Sequence, residues 1–417
     1  MTQLVDGPRR VGSTSRPALG RCISLSPEEF AADYWGRSAL LTRADQLSGG
    51  FADLLDLDAV DELVSRRGLR TPFLRVAKDG QVIDPKRWTG GGGAGAEVAD
   101  QVQDDALTAL FADGASLVLQ GLHRTWPPVV EFASALAAEL GHPVQANAYI
   151  TPPQSRGFDP HYDVHDVFVL QLSGEKRWRI HRPVLEHPLR SQPWTDRKAD
   201  VAAQAEGEPY IDTVLQPGDA LYLPRGWLHS AEALGDVSAH LTIGIHTVTR
   251  YALVEALTGL AARSPELRSS LPLGVDVADP EQLREDLAAT LDALAAAVRS
   301  VPAEDVAARL RRKVWPQTRP APVSPLRQAA AARAVTADTV VRLRPALHAR
   351  VVDAASPDDV TLQLSGRQLT LPGTARPALE ALLAGEPLAT GSLPGLDAEE
   401  AVVLVARLLR EAVVVPC

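Results

Sequence analysis

The chain has 417 residues, 45% of them hydrophobic and 23% charged, which is ordinary for a soluble globular protein of about two or three domains. A formal net charge of −10 argues against a protein that grips nucleic acid across its whole surface and leaves open a local basic patch. Cys22 and Cys417 fit no zinc or redox pattern, no apolar run approaches a membrane span, and no apolar core follows Arg9-Arg10, so no export signal is read there. The expected place is the cytoplasm, with two unrelated thiols in a reducing compartment.

Residues 1–20, rich in Gly, Pro, Arg and Ser, are expected to be poorly ordered. Ser26-Pro27-Glu28-Glu29 then opens a helix, with Ser as N-cap, Pro at the first helical position and Glu at the third. Tyr34 and Trp35 follow it as expected core. Residues 51–70 read as a helix, 71–76 as a strand and Lys78-Asp79-Gly80 as a hairpin turn. The Gly-rich run 88–95 lacks the Gly-Lys-Ser/Thr of a phosphate loop and reads as a linker or lid. Residues 116–119 read as a strand. A helix then starts at Pro127-Pro128, carries Phe132, Leu136 and Leu140 on one face, and stops at Gly141-His142-Pro143. In the strand that follows, Asn147 and Tyr149 are two apart and share a face.

The chemistry concentrates in residues 147–181. His161 and Asp163 are separated by one residue, so on a strand both side chains point the same way. Residues 167–172 are rich in β-branched and aromatic types, and Ser173-Gly174 reads as the turn that ends their strand. Downstream, Pro217-Gly218-Asp219 reads as a turn, residues 220–223 as a short strand and Pro224-Arg225-Gly226 as a second turn, which delivers His229 at the start of another strand. Two imidazoles and one carboxylate with open positions is the facial triad of non-haem Fe(II) oxygenases. His165 would share the face of His161 and Asp163, but a fourth ligand would close the ion, so it reads as a pocket-wall or packing residue. His240 and Thr242 share a face of the strand over residues 238–243 and are candidate cavity-wall residues. His123, His142, His181 and His187 have no partner pattern and read as surface or structural. The connection 182–215 reads as an exposed insertion.

After Thr249 the periodicity becomes helical. In residues 281–301, Leu283, Leu287, Leu291, Leu294, Val298 and Val301 form an apolar stripe that either packs on the barrel or makes a dimer seam. Residues 315–322 are Pro-rich and read as a linker. Beyond it come a hairpin turning at Ser365-Gly366, two helices, the second capped by Asp397-Ala398-Glu399-Glu400, and a last strand. This region has slightly more acids than bases and no Lys, so no direct DNA binding is expected.

The motif His161-Tyr162-Asp163, the run DVFVLQLSGEKRWRI, the block PGDALYLPRGWLH and the strand SAHLTI together resemble the cupin-type JmjC oxygenases, and within them the ribosomal-protein hydroxylases. The core of the resemblance covers residues 116–248. It implies a mainly β fold with helices: a double-stranded β-helix (jelly-roll, JmjC/cupin) domain, a helical dimerisation segment and a C-terminal winged-helix domain. The expected boundaries are 1–20, 21–249, 250–315, a linker at 316–332, and 333–417. It further implies Fe(II) on His161, Asp163 and His229, with 2-oxoglutarate as cosubstrate and O2 as oxidant. Lys176 would pair with the far carboxylate of 2-oxoglutarate, helped by Asn147 and Tyr149. A buried dianion needs a fixed cation, and alternation sets Lys176 with the apolar Trp178 and Ile180 while its rival Arg177 falls on the other face. The implied activity is hydroxylation of a ribosomal-protein side chain, His rather than Arg, by a homodimer with no membrane association. A non-catalytic cupin/winged-helix binding protein, or a 2-oxoglutarate oxygenase acting on a small molecule or another protein, are the alternatives.

Overall fold

The computed structural model describes residues 16–155 and 158–417, so the Arg9-Arg10 pair lies outside the described residues. The chain divides into two compact units at Thr247/Val248.

In the first unit, α1 (Pro17–Gly20) is a helical turn and not part of an unstructured terminus. The N–H groups of Ala18 and Leu19 donate to the Glu139 carboxylate at 3.0 and 2.8 Å, which satisfies a helix start that would otherwise have orphan donors. In α2 (Pro27–Asp33) the capping box forms: Ser26 Oγ accepts from Glu29 N–H, and Glu29 Oε2 from Ser26 N–H at 3.0 Å. There follow β1 (Leu40–Thr42), α3 (Leu57–Arg66) and the hairpin β2 (Leu74–Lys78) and β3 (Gln81–Val82). Strands β4 (Thr89–Gly90) and β5 (Gln101–Val102) pair with each other, and Trp88 is fully buried, so the run expected to be a free loop is clasped at its base. Next come α4 (Asp104–Ala112), β6 (Ser116–Leu119), α5 (Leu122–Thr125), α6 (Pro127–Leu140) and β7 (Val144–Thr151). Helix α6 buries Val129, Phe132 and Leu136, one face of its turns, and stops at the left-handed Gly141.

The unit is built around two long strands, β8 (Asp166–His181) and β11 (Leu228–Ile245). Between them in sequence lie α7 (Lys198–Ala205), β9 (Ile211–Leu215) and β10 (Ala220–Leu223). The sheet order is β1-β10-β8-β11-β7-β6-β2-β3, with β9 pairing the second half of β8. Each long strand therefore changes neighbours along its length, as a strand does when a sheet folds back on itself to enclose a core. The change falls at an irregularity in the β8–β11 ladder, between Leu234 and Ala239. Gly174 lies opposite it with φ of +61°, and a Cβ there would stand 2.3 Å from the Val237 carbonyl oxygen. Ser173-Gly174 is thus a bulge within a continuing strand and not the turn expected from the sequence.

In the second unit, helices α8 (Arg250–Ala261), α9 (Pro280–Arg299) and α10 (Ala303–Val314) precede α11 (Pro325–Arg333). Then follow β12 (Val340–Leu343), β13 (Ala349–Asp353), β14 (Asp359–Leu364), β15 (Arg367–Pro372), α12 (Arg376–Leu383), β16 (Leu388–Ala389), α13 (Ala398–Arg410) and β17 (Val414–Pro416). The strands form two sheets, β16-β12-β17 and β13-β14-β15. Val341, Leu362, Leu379, Leu408 and Val414 share one core. The linker expected over 316–332 is half helix: the Gln328 amide of α11 donates to the carbonyls of Leu409 and Val414 at 3.0 and 2.6 Å. The helical and C-terminal regions are also tied together, because Arg350 on β13 and Arg311 on α10 both bind Glu304. No helix among the described residues is long and apolar enough to cross a membrane.

Candidate metal centre and its cavity

His161 and His229 meet across an isolated β-bridge with both backbone bonds made, His161 N to His229 O at 3.2 Å and His229 N to His161 O at 2.9 Å. His161 and Asp163 are not on a regular strand, as expected, but in the irregular segment that leads into β8. Between them, Tyr162 is fully buried and its hydroxyl donates to the Gln192 carbonyl at 3.0 Å. One side chain anchored away leaves its two neighbours on the opposite side, so the single-residue spacing works without a ladder. The turn ahead of His229 is equally constrained: Gly226 N donates to Asp163 O at 3.0 Å, and a Cβ on Gly226 would stand 2.5 Å from the Leu185 carbonyl oxygen.

One ligand atom from each of His161, Asp163 and His229 lies within 4.8 Å of the others, and His229 Nε2 is 3.8 Å from Asp163 Oδ2. Nδ1 of His161 is 2.8 Å from the Asp159 carbonyl oxygen, and Nδ1 of His229 is 3.2 Å from that of Trp227. A carbonyl accepts only from N–H, so these contacts put the proton on Nδ1 and turn the Nε2 lone pair to the shared space, as metal-ligating imidazoles require. Burial first, then His161, pushes His229 down to about 4, so its ring is neutral at neutral pH. Burial raises the Asp163 carboxyl, but His165, His229 and His161 outweigh it and hold the group below its usual value.

The three groups open into a cavity of about 350 Å³, in the size range of small-molecule sites. Lys176 lines it with 4% exposure, and its Nζ donates to Thr151 Oγ1 at 3.1 Å. Ser116 Oγ donates to the same Thr151 oxygen at 3.2 Å. Burial alone pushes the Lys176 ammonium down to about 7. Arg177, the rival cation, is exposed and binds Asp212 at 2.7 and 2.8 Å. Tyr149, His240 and Thr242 line the cavity; Asn147 and His165 are not among its lining residues. Asn147 Oδ1 instead accepts from Gly121 N–H at 3.0 Å, and His165 packs on the His246 ring at 5.4 Å with Gln145 at 3.4 Å. For His165 this separates the two readings in favour of packing.

Other lining residues escaped the sequence reading. Thr151 stands two after Tyr149 on β7, so the face rule that selected Asn147 and Tyr149 extends to it. Arg75 comes from β2, with its guanidinium carbon 5.4 Å from the Phe158 ring centre. Trp194 comes from the connection expected to be an exposed insertion, and its ring centre lies 6.1 Å from that of His161. That connection also buries Val201 and pairs β9 with β8, so it is built into the unit.

Residues 127–253 match the family model of the JmjC domain, which embraces the ligand triad, Lys176 and His240. That segment of the chain is thus similar to a JmjC domain, and the relatives it resembles include ribosomal oxygenases. The chain is 34% identical over 260 residues to ribosomal oxygenase 1 of Rattus norvegicus, covering 60% of this chain and 41% of that protein. It is 31% identical over 265 residues to the bifunctional lysine-specific demethylase and histidyl-hydroxylase NO66 of Drosophila persimilis, covering 59% of this chain and 35% of that one. The chain thus spans less than half the length of these curated relatives. The fold is that of the ribosomal oxygenase YcfD from Escherichia coli, solved with cobalt and 2-oxoglutarate: TM-score 0.52 at 20% identity, covering 94% of this chain and 98% of that one.

Proposed function

We propose that this protein is an Fe(II)- and 2-oxoglutarate-dependent oxygenase that hydroxylates a side chain of a ribosomal protein, histidine rather than arginine. One observation carries the reading: a two-imidazole, one-carboxylate cluster and a buried lysine with no carboxylate partner among the described residues line the same cavity. The donor set suits Fe(II) and leaves positions open. His161, Asp163 and His229 would hold the ion, and Lys176 the far carboxylate of 2-oxoglutarate. With O2, the loaded centre supplies the oxidising chemistry that turns a substrate C–H into C–OH.

The chain's own contribution is positioning and exclusion of water. The backbone bridge fixes the distance between the two histidines, and the Nδ1 contacts fix their tautomers. Lys176 sets where the cosubstrate's remote end rests. Tyr149, Phe158, Trp178 and Trp194 give the cavity aromatic walls. Histidine as target draws support from the histidyl-hydroxylase among the relatives. The exposed Leu287 and Leu291 on α9 support a homodimer, and the absence of Lys and slight excess of acids over bases in residues 333–417 support a winged-helix-like, partner-binding role for that region without DNA contact, in a cytoplasmic protein.

The test is mass spectrometry of ribosomal proteins from cells with the wild-type protein, without it, and with His161→Ala. One added oxygen on a single ribosomal protein, absent from both controls, is the expected result. Identical spectra in all three remove the ribosomal assignment.

A further inference from the structure

His240 is a buried side chain whose hydrogen-bonding groups nothing among the described residues satisfies. It lies mid-strand on β11, fixed in register against Tyr149 of β7 on one side and Gln171 of β8 on the other. It is 3% exposed and forms part of the cavity wall with Lys176, Trp178 and Thr151. Its ring is clamped by stacking alone. Tyr149 lies parallel to it at 5.0 Å with 1° between planes, and Trp178 meets it edge-on at 5.4 Å and 81°.

Neither ring nitrogen has a hydrogen-bond partner among the described residues, and Nδ1 is wholly buried. Burial first, then Lys176, pushes the imidazole well below its usual range, so the ring is neutral, with one N–H and one lone pair. Such groups are rarely left unmade in a folded interior, because each unpaired one carries its full desolvation cost. The stacked geometry makes the choice informative. A phenylalanine would fill the same slot without a polar atom to satisfy.

Two neighbours point the same way. Trp178 Nε1 and Arg75 Nε, both from cavity-lining residues, are also buried donors without a partner among the described residues, although the Arg75 guanidinium bonds the Tyr149 hydroxyl elsewhere. Lys176 adds a cation whose one hydrogen bond among the described residues goes to a hydroxyl. The carboxylates among the described lining residues are Asp159 and Asp163; Asp163 belongs to the candidate metal cluster, and the Asp159 carboxylate lies against Gly80. The wall around Lys176 is therefore rich in donors and poor in acceptors. A carboxylate, with about four lone-pair directions on two oxygens, can take an ammonium and an imidazole N–H together.

We propose that His240 is a second binding residue for the far carboxylate of the 2-oxo diacid, donating a hydrogen bond to it beside Lys176. The proposal rests on the cosubstrate reading above and assigns it one more residue. His240 takes no part in holding the metal, and its ring is oriented by Tyr149 and Trp178 instead of by a hydrogen bond.

The test uses the full chain loaded with Mn(II) under nitrogen, with two ligands titrated by calorimetry: 2-oxoglutarate, and 2-oxopentanoate, which has the same carbon chain and no far carboxylate. The variants are His240→Phe, which keeps the stack, and His240→Gln, which keeps a side-chain N–H donor. His240→Phe is expected to weaken 2-oxoglutarate roughly tenfold to a hundredfold, the range of one hydrogen bond to a charged group. His240→Gln is expected to recover part of that loss. Binding of 2-oxopentanoate and of Mn(II) is expected to match wild type in both variants. Equal loss for the two oxo acids would show a merely structural role and overturn the proposal, as would unchanged affinity for 2-oxoglutarate. Should the wild-type protein fail to bind 2-oxoglutarate, the cosubstrate reading falls and takes this inference with it.

Discussion

His161 and His229 are held to one another by their backbones: each donates its N–H to the other's carbonyl, at 3.2 and 2.9 Å. The bridge itself uses neither side chain, so truncating one should remove ligation while the backbone pairing stays. In His161→Ala, bound Fe(II) or Mn(II) should fall below detection by elemental analysis. The metal-free melting temperature should stay within about 3 °C of wild type, since no large buried contact is lost. Adding Mn(II) should raise the melting temperature of wild type alone.

The buried Lys176 predicts a pH dependence. Its ammonium is pushed from 10.5 down to about 7, so between those values the unfolded chain carries a proton that the folded chain has released. Stability from this group is present above the unfolded value and is lost as pH falls toward 7. A carboxylate bound beside Nζ favours the charged form, so 2-oxoglutarate binding above about pH 7 takes up a proton and weakens by as much as about tenfold per pH unit. Calorimetry at about pH 8 in buffers of different ionisation enthalpy measures that uptake. Lys176→Met should abolish it, and a flat affinity profile in wild type would contradict the assigned role.

Asp166 and Arg225 connect the two ligand-bearing segments. Asp166 is fully buried and accepts from Tyr222 Oη at 2.6 Å, Arg225 N at 3.1 Å and Arg225 Nη1 at 3.4 Å. Asp166→Ala takes the carboxylate from a largely buried guanidinium, which keeps only Thr247 Oγ1 at 3.1 Å, and the acceptor from a buried phenol, and should cost about 3–5 kcal/mol. Asp166→Asn, which keeps an acceptor oxygen, should cost less. Denaturant titration of the two variants side by side measures the difference.

Gly174 should tolerate no side chain. Its positive φ strains any L-residue, and the added Cβ would meet backbone that has no slack. Gly174→Ala is expected to cost more than about 2 kcal/mol by the same titration. Lys176 lies two residues beyond it, so affinity for 2-oxoglutarate should fall as well.

The exposed apolar residues of α9 predict association. Leu287 and Leu291 are 58% and 56% exposed, a turn apart on one helix face. Light scattering should give a dimer for wild type and a monomer for the double variant Leu287→Asp, Leu291→Asp. A wild-type monomer across the micromolar range would remove the homodimer.

How much of this was legible beforehand depended on how local the cause was. The capping boxes at Ser26 and Asp397 and the turn at Asp79-Gly80 are decided within four residues, and the structure forms them as read. The grouping of His161, Asp163 and His229 was readable from residue type and spacing, although the regular strand assumed for His161 and Asp163 is replaced by a segment anchored through Tyr162. Gly174 was misread because a positive-φ glycine leaves the same signal in a hairpin turn as in a bulge, and only the partner strand distinguishes them. The helix Pro325–Arg333 was hidden because a proline at the first helical position resembles a proline in a linker. Asn147 was assigned to the cavity by the resemblance, on the face it shares with Tyr149, but its amide oxygen accepts from the Gly121 N–H, a contact that exists only once α5 has packed.

The cavity wall does not respect the limits of the matched segment. Arg75 on β2 and Ser116 on β6 both precede residue 127, where the JmjC match begins, and both face the same space as the triad. The segment 127–253 is consequently not a transplantable cassette. Spliced into another scaffold it would carry the candidate metal ligands yet arrive with one side of its chamber open. Any transfer of this cavity between proteins, by recombination or by design, has to move the strands upstream along with it.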